Sequence, residues 1–168
     1  MGVKTVYLDS SSILKRYVEE KSSEVIDAIY KKAEAGELKL VFSIWNVGEI
    51  IGVLDRYASR RLITIEAFRA ALSKFVLESM KMIRLGSLQI MPITSTSLSN
   101  SWLIITRHHV YEADALQIST SLEADCNFLF SADVDLVRMA EKEDIKAVNI
   151  ETEPERALGF ITEDMKSP

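Results

Sequence analysis

The stretch VKTVYLDSSSILKRYVEE, residues 3–20, decides the fold class of this chain. It begins with an apolar and β-branched run, Val3–Leu8, which is typical of a strand buried on both faces. The run ends at an acid, Asp9, and three serines then lead into a helical pattern. An aspartate is ordinary at this point, because it can cap the following helix. A chemical function for Asp9 therefore depends on which other acids the fold brings next to it.

The rest of the chain continues the alternation of strands and helices. Further strands are predicted at Leu38–Ser43, at LQIMPI (88–93), at Asn127–Ser131 and at KAVNI (146–150). Helices are predicted between them, including a long amphipathic helix between its cap, Thr64, and Gly86. Strands that alternate with helices form right-handed crossovers, which give a parallel sheet covered on both faces. We therefore predict an α/β fold with three layers, α/β/α, and a central parallel sheet of about five strands.

Length and composition fit one soluble domain. The chain has 168 residues and a net charge of −5, so it lacks the basic field that dominates non-specific binding to nucleic acid. Its single cysteine, Cys126, cannot form an internal disulfide and fits a reducing compartment. We see no signal peptide and no apolar run of about 20 residues, so we expect a cytoplasmic protein without a membrane segment. We predict one domain over residues 1–150, with an enlarged helical hairpin at 59–87, and a C-terminal extension over residues 151–168.

Four acids are candidates for one site at the carboxyl edge of the sheet. Asp9 and Asp133 follow the first and fourth strands, and ligands of open parallel sheets bind at such strand ends. Asp114 lies in the first turn of a predicted helix, and Glu49 lies at the rim of the apolar face of another. Each acid also has an ordinary explanation, as a helix cap, a first-turn acid or a solvated side chain. A shared site would need a hard cation such as Mg²⁺ or Mn²⁺, because clustered carboxylates otherwise repel one another or take up protons.

At these positions the sequence resembles the PIN-domain nucleases, in particular the VapC-like toxins. The motifs are YLDSSSILKRY (7–17), SIWNVGEIIGVL (43–54), YEADALQISTSLEADCNFLFSAD (111–133) and VDLVRMA (134–140). They stand in the order of the family and cover most of residues 3–150, and DALQIST followed by FLFSAD is the most specific part. A glycine that often precedes the third acid is absent here, where the chain reads RHHVYEAD.

The resemblance implies a metal-dependent ribonuclease with an α/β/α fold. The acids that would hold one or two Mg²⁺ or Mn²⁺ ions and activate water are Asp9, Glu49, Asp114 and Asp133. Asp9 and Asp114 are the first choices as direct ligands. Ser131 matches a supporting hydroxyl residue of the family, and Asp135 would be an additional acid. The resemblance also implies an RNA substrate, a homodimer and, for a toxin, a small antitoxin; the apolar face of the long helix is a candidate surface for either protein.

Cations and aromatic residues near the motifs are weaker candidates for substrate contacts. The candidates for phosphate contacts are Lys15, Arg16, Arg56 and Arg107, each of which is more often a solvated surface charge. We interpret Trp45 and Trp102 as packing residues rather than as platforms for stacked bases. His108 and His109 point about 100° apart on a helix, which favours helix-end or surface roles over a shared catalytic one.

Other functions remain open beside that of a toxin. A stand-alone RNA-processing nuclease would use the same acids. A haloacid-dehalogenase-like phosphatase needs a second aspartate two residues after the first, where this chain has Ser11. A non-catalytic interaction module would keep the fold but has no need of all four acids.

Overall fold

The structure, a computed structural model, describes residues 3–162, and strands and helices alternate through this range as predicted. The strands are β1 (Lys4–Leu8), β2 (Leu38–Ser43), β3 (Leu88–Met91), β4 (Phe128–Ser131) and β5 (Ala147–Asn149). The helices are α1 (Ser10–Leu14), α2 (Ser23–Glu34), α3 (Ile44–Ser59), α4 (Ile65–Leu85), α5 (Ser95–His108), α6 (Glu112–Glu123), α7 (Val134–Lys142) and α8 (Pro154–Thr162). The predicted order of elements is confirmed.

The described strands form one parallel sheet in the order β3-β2-β1-β4-β5. β1 lies at its centre, where Val6 is opposite Leu40 of β2 on one side and Phe128 of β4 on the other. The chain builds from β1 to one edge of the sheet and then returns to build the other edge from β4. The carboxyl ends of β1 and β4 are therefore a topological switch point, where ligands bind in open α/β sheets.

Each face of the sheet has its own hydrophobic core, because successive strand residues point to opposite faces. Val6 and Leu8 pack with side chains of α1, α2, α3, α4 and α8. Tyr7, between them, packs on the opposite face with side chains of α5, α6 and α7. The strands are thus covered on both sides, which explains their continuous apolar runs. The predicted three-layer α/β/α architecture is confirmed.

The apolar face of α4 is divided between core and solvent. Thr64 caps the helix by accepting a hydrogen bond from the amide of Ala67, and Gly86 ends it in the left-handed region at φ +75°. The apolar side chains of α4 that remain 44–67% exposed are Ile65, Val76, Leu77, Met80, Ile83 and Leu85. One chain therefore leaves part of this face uncovered. No helix within residues 3–162 is long and apolar enough to cross a membrane.

The segment after β5 contributes to the same core as the rest of the domain. Ile161 of α8 is only 5% exposed and belongs to the core that includes Phe128. Phe160 stacks on Phe128 with ring centroids 4.7 Å apart. Residues 154–162, which the sequence assigned to a C-terminal extension, are thus packed against the domain, whereas residues 163–168 of that extension lie outside the described residues.

Candidate active site

A cavity of about 710 Å³ lies at the switch point, beside the carboxyl ends of β1 and β4. The four acids predicted from the sequence, Asp9, Glu49, Asp114 and Asp133, all line it. They come from the end of β1, from α3, from α6 and from the start of α7. The structure thus brings together acids that are far apart along the chain.

Asp9 is almost fully buried and is held by three donors. Its carboxylate accepts hydrogen bonds from the hydroxyls of Ser11 and Ser131, each at 2.7 Å, and from the amide of Ser12 at 2.9 Å. Burial raises the pKa of Asp9, and the hydrogen bonds from these serines act in the opposite direction. Asp9 therefore caps α1 and lines the cavity at the same time, so its capping role does not exclude a function in the cavity.

Ser11 and Ser131 connect the ends of two strands. The hydroxyl of Ser131 at the end of β4 donates to Asp9 and accepts a hydrogen bond from the amide of Asp133 at 2.8 Å. The hydroxyl of Ser11 accepts from the amide of Ala132 at 2.9 Å. These bonds fix the Asp9 carboxylate relative to the start of α7.

Asp133 combines a capping role with a place in the cavity. Its Oδ1 atom accepts from the amides of Asp135 and Leu136, at 2.8 and 3.2 Å, and so caps α7. The side chain of Asp135 is exposed, does not line the cavity and lies 3.4 Å from the guanidinium of Arg138. The structure therefore places Asp133 beside the other acids and Asp135 outside the cavity.

Glu49 is oriented by a buried polar network. The hydroxyl of Ser10 donates to Glu49, and the side-chain amide of Asn46 donates to Ser10 at 2.9 Å. The same amide group of Asn46 donates to Gln117 at 2.8 Å, and its oxygen accepts from the hydroxyl of Tyr7 at 2.9 Å. Since these partners come from β1, α1, α3 and α6, the position of Glu49 depends on the packing of the whole sheet edge.

The effect of the neighbouring acids is visible in the pKa of Asp114. Its carboxyl group is about half-buried, and burial together with the charges of Asp133, Glu49 and Asp9 raises its pKa to about 6. Like charges that share a low-dielectric cavity disfavour the ionised form of one member. The four carboxyl groups therefore cannot all be ionised in this cavity without a cost in free energy.

The family of the chain follows from its sequence and agrees with this geometry. A sequence model of the PIN domain matches residues 6–142, which is most of the chain. This chain belongs to the PIN domain family. PIN domains are generally nucleases. No curated protein sequence matches the chain.

Solved structures similar to this PIN domain support the fold. One is the crystal structure of PAE2754 from Pyrobaculum aerophilum, with 17% identity and a TM-score of 0.62 over 94% of this chain and 97% of that one. Another is the crystal structure of FitAcB from Neisseria gonorrhoeae, with 16% identity and a TM-score of 0.60 over 86% of this chain and 96% of that one. At such low identity these likenesses concern the fold alone.

The acids of this PIN domain have the donor chemistry for a hard dication. Within residues 3–162, however, no three or more His, Cys, Asp or Glu side chains converge on one point at metal-binding distance. Asp9, Glu49 and Asp133 instead direct oxygens towards donors of the protein. Carboxylate oxygens are the ligands that Mg²⁺ and Mn²⁺ prefer. Besides burial, the charges of neighbouring acids raise the pKa of Asp114, and a cation would neutralise these charges. The donor set fits such an ion in chemistry and location.

Two of the predicted cations line the cavity. Lys15 is 4% exposed and forms ion pairs with Glu20 at 3.3 Å and Glu151 at 2.5 Å. Burial lowers the pKa of Lys15, but the bonds with Glu151 and Glu20 outweigh this effect and raise it. Arg56 is exposed and makes no ion pair with any residue between 3 and 162. Arg56 is therefore the more available of the two for an anionic ligand.

The other two predicted cations lie elsewhere. Arg16 forms ion pairs with Asp27 and Glu78, each at 2.6 Å, and Arg107 pairs with Glu143 at the same distance. Neither arginine lines the cavity. The structure therefore does not bring Arg16 or Arg107 to the acids.

Trp45 differs from its interpretation as a packing residue. It is 41% exposed and lines the cavity, because the first turn of α3 begins at the open edge of the sheet. Trp102 is 57% exposed on α5 and lies outside the cavity. Both tryptophans are thus only partly covered by the described part of the chain, and Trp45 is accessible from the cavity.

Other polar residues of the site were missed in the sequence. Asn46 precedes Glu49 by one helical turn, and Gln117 follows Asp114 by one turn. Residues at this spacing share a helix face, so polar residues one turn from each candidate acid were the available signal.

Proposed function

We propose that this PIN domain is a Mg²⁺- or Mn²⁺-dependent endoribonuclease that hydrolyses RNA phosphodiester bonds. The observation that carries the proposal is the gathering of Asp9, Glu49, Asp114 and Asp133 around one cavity at the switch point of the sheet. Burial and, after it, the charges of the neighbouring acids raise the pKa of Asp114, and a bound cation would relieve the repulsion among these acids. A cluster of this kind is more readily explained by metal binding than by structure.

We propose that the four acids have different roles in binding one or two ions. Asp9 and Asp114 are the proposed direct ligands, and Glu49 and Asp133 would hold a second ion or orient the attacking water. When bound, the metal supplies Lewis-acid chemistry, because it lowers the pKa of water and neutralises phosphate charge. Ser131 would keep the Asp9 carboxylate oriented through the hydrogen bond it donates.

RNA is the proposed substrate, and its contacts with the protein must be local because the chain is acidic overall. Arg56 is the proposed phosphate contact, since it lines the cavity without an ion pair among the described residues. Lys15 is a weaker candidate, because Glu20 and Glu151 already share its charge.

We extend the proposal to the toxin of a toxin–antitoxin pair that acts in the cytoplasm as a homodimer. The support is the sequence resemblance of the acid motifs to VapC-like toxins and the uncovered apolar side chains of α4, such as Val76, Leu77 and Met80. These side chains are a candidate surface for a second copy or an antitoxin. Induced expression should then arrest growth with the wild type and not with Asp9→Asn, and light scattering should give the mass of a dimer. Normal growth in both cases would instead favour a stand-alone RNA-processing nuclease.

The test of the chemistry is cleavage of a mixed RNA pool with Mg²⁺ or Mn²⁺. EDTA, Asp9→Asn and Asp114→Asn should each abolish cleavage, because each removes the ion or a proposed ligand. The matched control is Asp55→Asn, since Asp55 is an exposed acid of α3 outside the cavity. Circular dichroism should show that every variant folds. Cleavage that survives EDTA and both substitutions would contradict the proposal.

A further inference from the structure

One face of α3 forms a wall of the cavity beside the acids. The residues of this wall, which recur at helical spacing, are Trp45, Gly48, Glu49, Gly52, Val53, Arg56 and Tyr57. At about 1.5 Å per residue the wall extends roughly 16 Å from Trp45 to Arg56. At about 3.4 Å or more per nucleotide, this length corresponds to a few nucleotides of one strand.

Trp45 is a large aromatic residue in a cavity that also contains the four candidate acids. It leaves 41% of its surface exposed, and no aromatic ring within residues 3–162 stacks on it. Glu49 lies one turn further along the same helix face, so the two side chains are neighbours. A large, rigid π-surface thus lies next to one of the proposed catalytic acids.

Two positions in the middle of the wall are glycines and therefore have no side chain. A helix with glycine at an interior position is less stable than one with alanine, so the presence of Gly48 and Gly52 calls for an explanation. A methyl group at Gly48 would meet no described atom within 4 Å, and one at Gly52 would meet only the guanidinium of Arg56, at an ordinary 3.5 Å. Packing within the described part of the chain therefore requires neither glycine, whereas a molecule lying close to the helix backbone would.

We propose that Trp45 is the platform on which a base of single-stranded RNA stacks, next to the phosphodiester bond that is cleaved. The strand would then pass over Gly48 and Gly52, with a phosphate near Arg56 at the far end of the wall. Aromatic stacking combined with arginine contacts is a general mode of single-strand recognition, and paired bases cannot use it. This proposal rests on the proposed ribonuclease function and adds the residue that binds a base next to the cleaved bond.

Kinetics of three tryptophan variants test the platform. Trp45→Leu should raise the KM for a short single-stranded RNA about 10- to 100-fold, with a smaller change in kcat, because stacking contributes mainly to binding. Trp45→Phe keeps a ring and should retain most of the affinity. Trp102→Leu is the matched control, since Trp102 is also exposed but lies outside the cavity. Its KM should equal that of the wild type.

An abasic residue moved along the same oligonucleotide identifies the stacked base. With the wild type, KM should rise when the abasic residue occupies one particular position beside the cleaved bond. With Trp45→Leu, the abasic residue at that position should have no further effect, because the base has already lost its partner.

The glycines give a test in which stability and activity change in opposite directions. Gly48→Ala should raise the melting temperature and also raise the KM for RNA. Gly159→Ala on α8 is the matched control, because a methyl group there also meets no described atom within 4 Å and the residue is outside the cavity. This control should raise the melting temperature alone.

Three outcomes would overturn the assignment of Trp45. The first is RNA cleavage by Trp45→Leu with the KM of the wild type, which would refute the platform and leave the ribonuclease function intact. The second is a Gly48→Ala variant that loses the dimer mass at unchanged KM, which would assign this wall to a protein contact. The third is a wild type that neither binds nor cleaves RNA with either metal, which would refute the ribonuclease function and the platform with it.

Discussion

Replacement of Asp114 by asparagine should stabilise the metal-free protein near neutral pH. The substitution keeps the size of the side chain and removes one charge from the acid cluster. In the folded protein, burial and the charges of Asp133, Glu49 and Asp9 raise the pKa of Asp114 from 3.8 to about 6. Asparagine carries no charge to repel, so the variant should escape this penalty.

The sign of the effect follows from proton linkage. A carboxyl group with a raised pKa binds its proton more tightly in the folded than in the unfolded state. The contribution of Asp114 to the free energy of unfolding is therefore most favourable below the unfolded pKa and falls as the pH rises through the window from 3.8 to about 6. A shift of two units corresponds to an upper limit of about 3 kcal/mol. Because Asp114 is only half-buried and salt screens its neighbours, we expect a gain of about 1 kcal/mol for the variant.

The assay is urea unfolding in EDTA, followed by circular dichroism, for the wild type and Asp114→Asn. The stability difference should be present at about pH 7.5 and should shrink as the pH falls towards about 4.5. Mg²⁺ should stabilise the wild type more than the variant, because the ion binds the folded state and relieves the same repulsion. Asp55→Asn, in the exposed part of α3, should change neither result. A variant that is equally or less stable than the wild type at the higher pH would refute the electrostatic argument.

Three further substitutions probe other parts of the structure. Ser10→Ala should weaken Mn²⁺ binding about 10-fold in calorimetry, because it removes the hydroxyl that orients a proposed metal-binding glutamate. Lys15→Met should lower the free energy of unfolding by about 2 kcal/mol, because it leaves two partly buried carboxylates without their cation. Ile161→Ala should lower the free energy of unfolding by about 2–3 kcal/mol, because its side chain is buried in the shared core.

Matched controls separate these effects from non-specific damage. Ser99→Ala removes a hydroxyl that bonds only within α5 and should leave Mn²⁺ affinity unchanged. Lys32→Met breaks a more exposed ion pair, and Val134→Ala shortens a half-exposed side chain, so each should cost under about 1 kcal/mol. Equal effects of a variant and its control would contradict the corresponding argument.

Local chemistry made the sheet predictable from the sequence, and the positions of the four acids together with the resemblance to PIN-domain nucleases made them candidates for one site. Both faces of the run Val3–Leu8 are mainly apolar, which favours a strand inside a covered sheet, and an acid directly after such a strand lies at the edge where ligands bind. The residues that order the acids were less visible. Asn46 and Gln117 are common polar residues of helices, and their importance depends on a contact between α3 and α6 that the sequence does not show.

Exposure was the property that the sequence could not predict. A helical pattern gives the width of an apolar face but not how much of it the rest of the chain covers. Phe75 is buried in the core, whereas Val76 on the same helix is 44% exposed. The exposure of Trp45 was not predictable for the same reason, because it depends on the open edge above β1 and β4. The ion pairs of Arg16 were not predictable either, because the acids that pair with it, Asp27 and Glu78, are distant in sequence.

The hydrogen bond between Ser131 and Asp9 has a consequence for protein synthesis. Asp9 leaves the ribosome early, but the hydroxyl that orients its carboxylate lies on β4, which is made near the end of the chain. Pairing between such distant strands cannot begin until the later strand has been made. A nascent chain therefore has no complete site, so the ribosome and its messenger are exposed to the finished acid cluster only after nearly the whole domain has been translated.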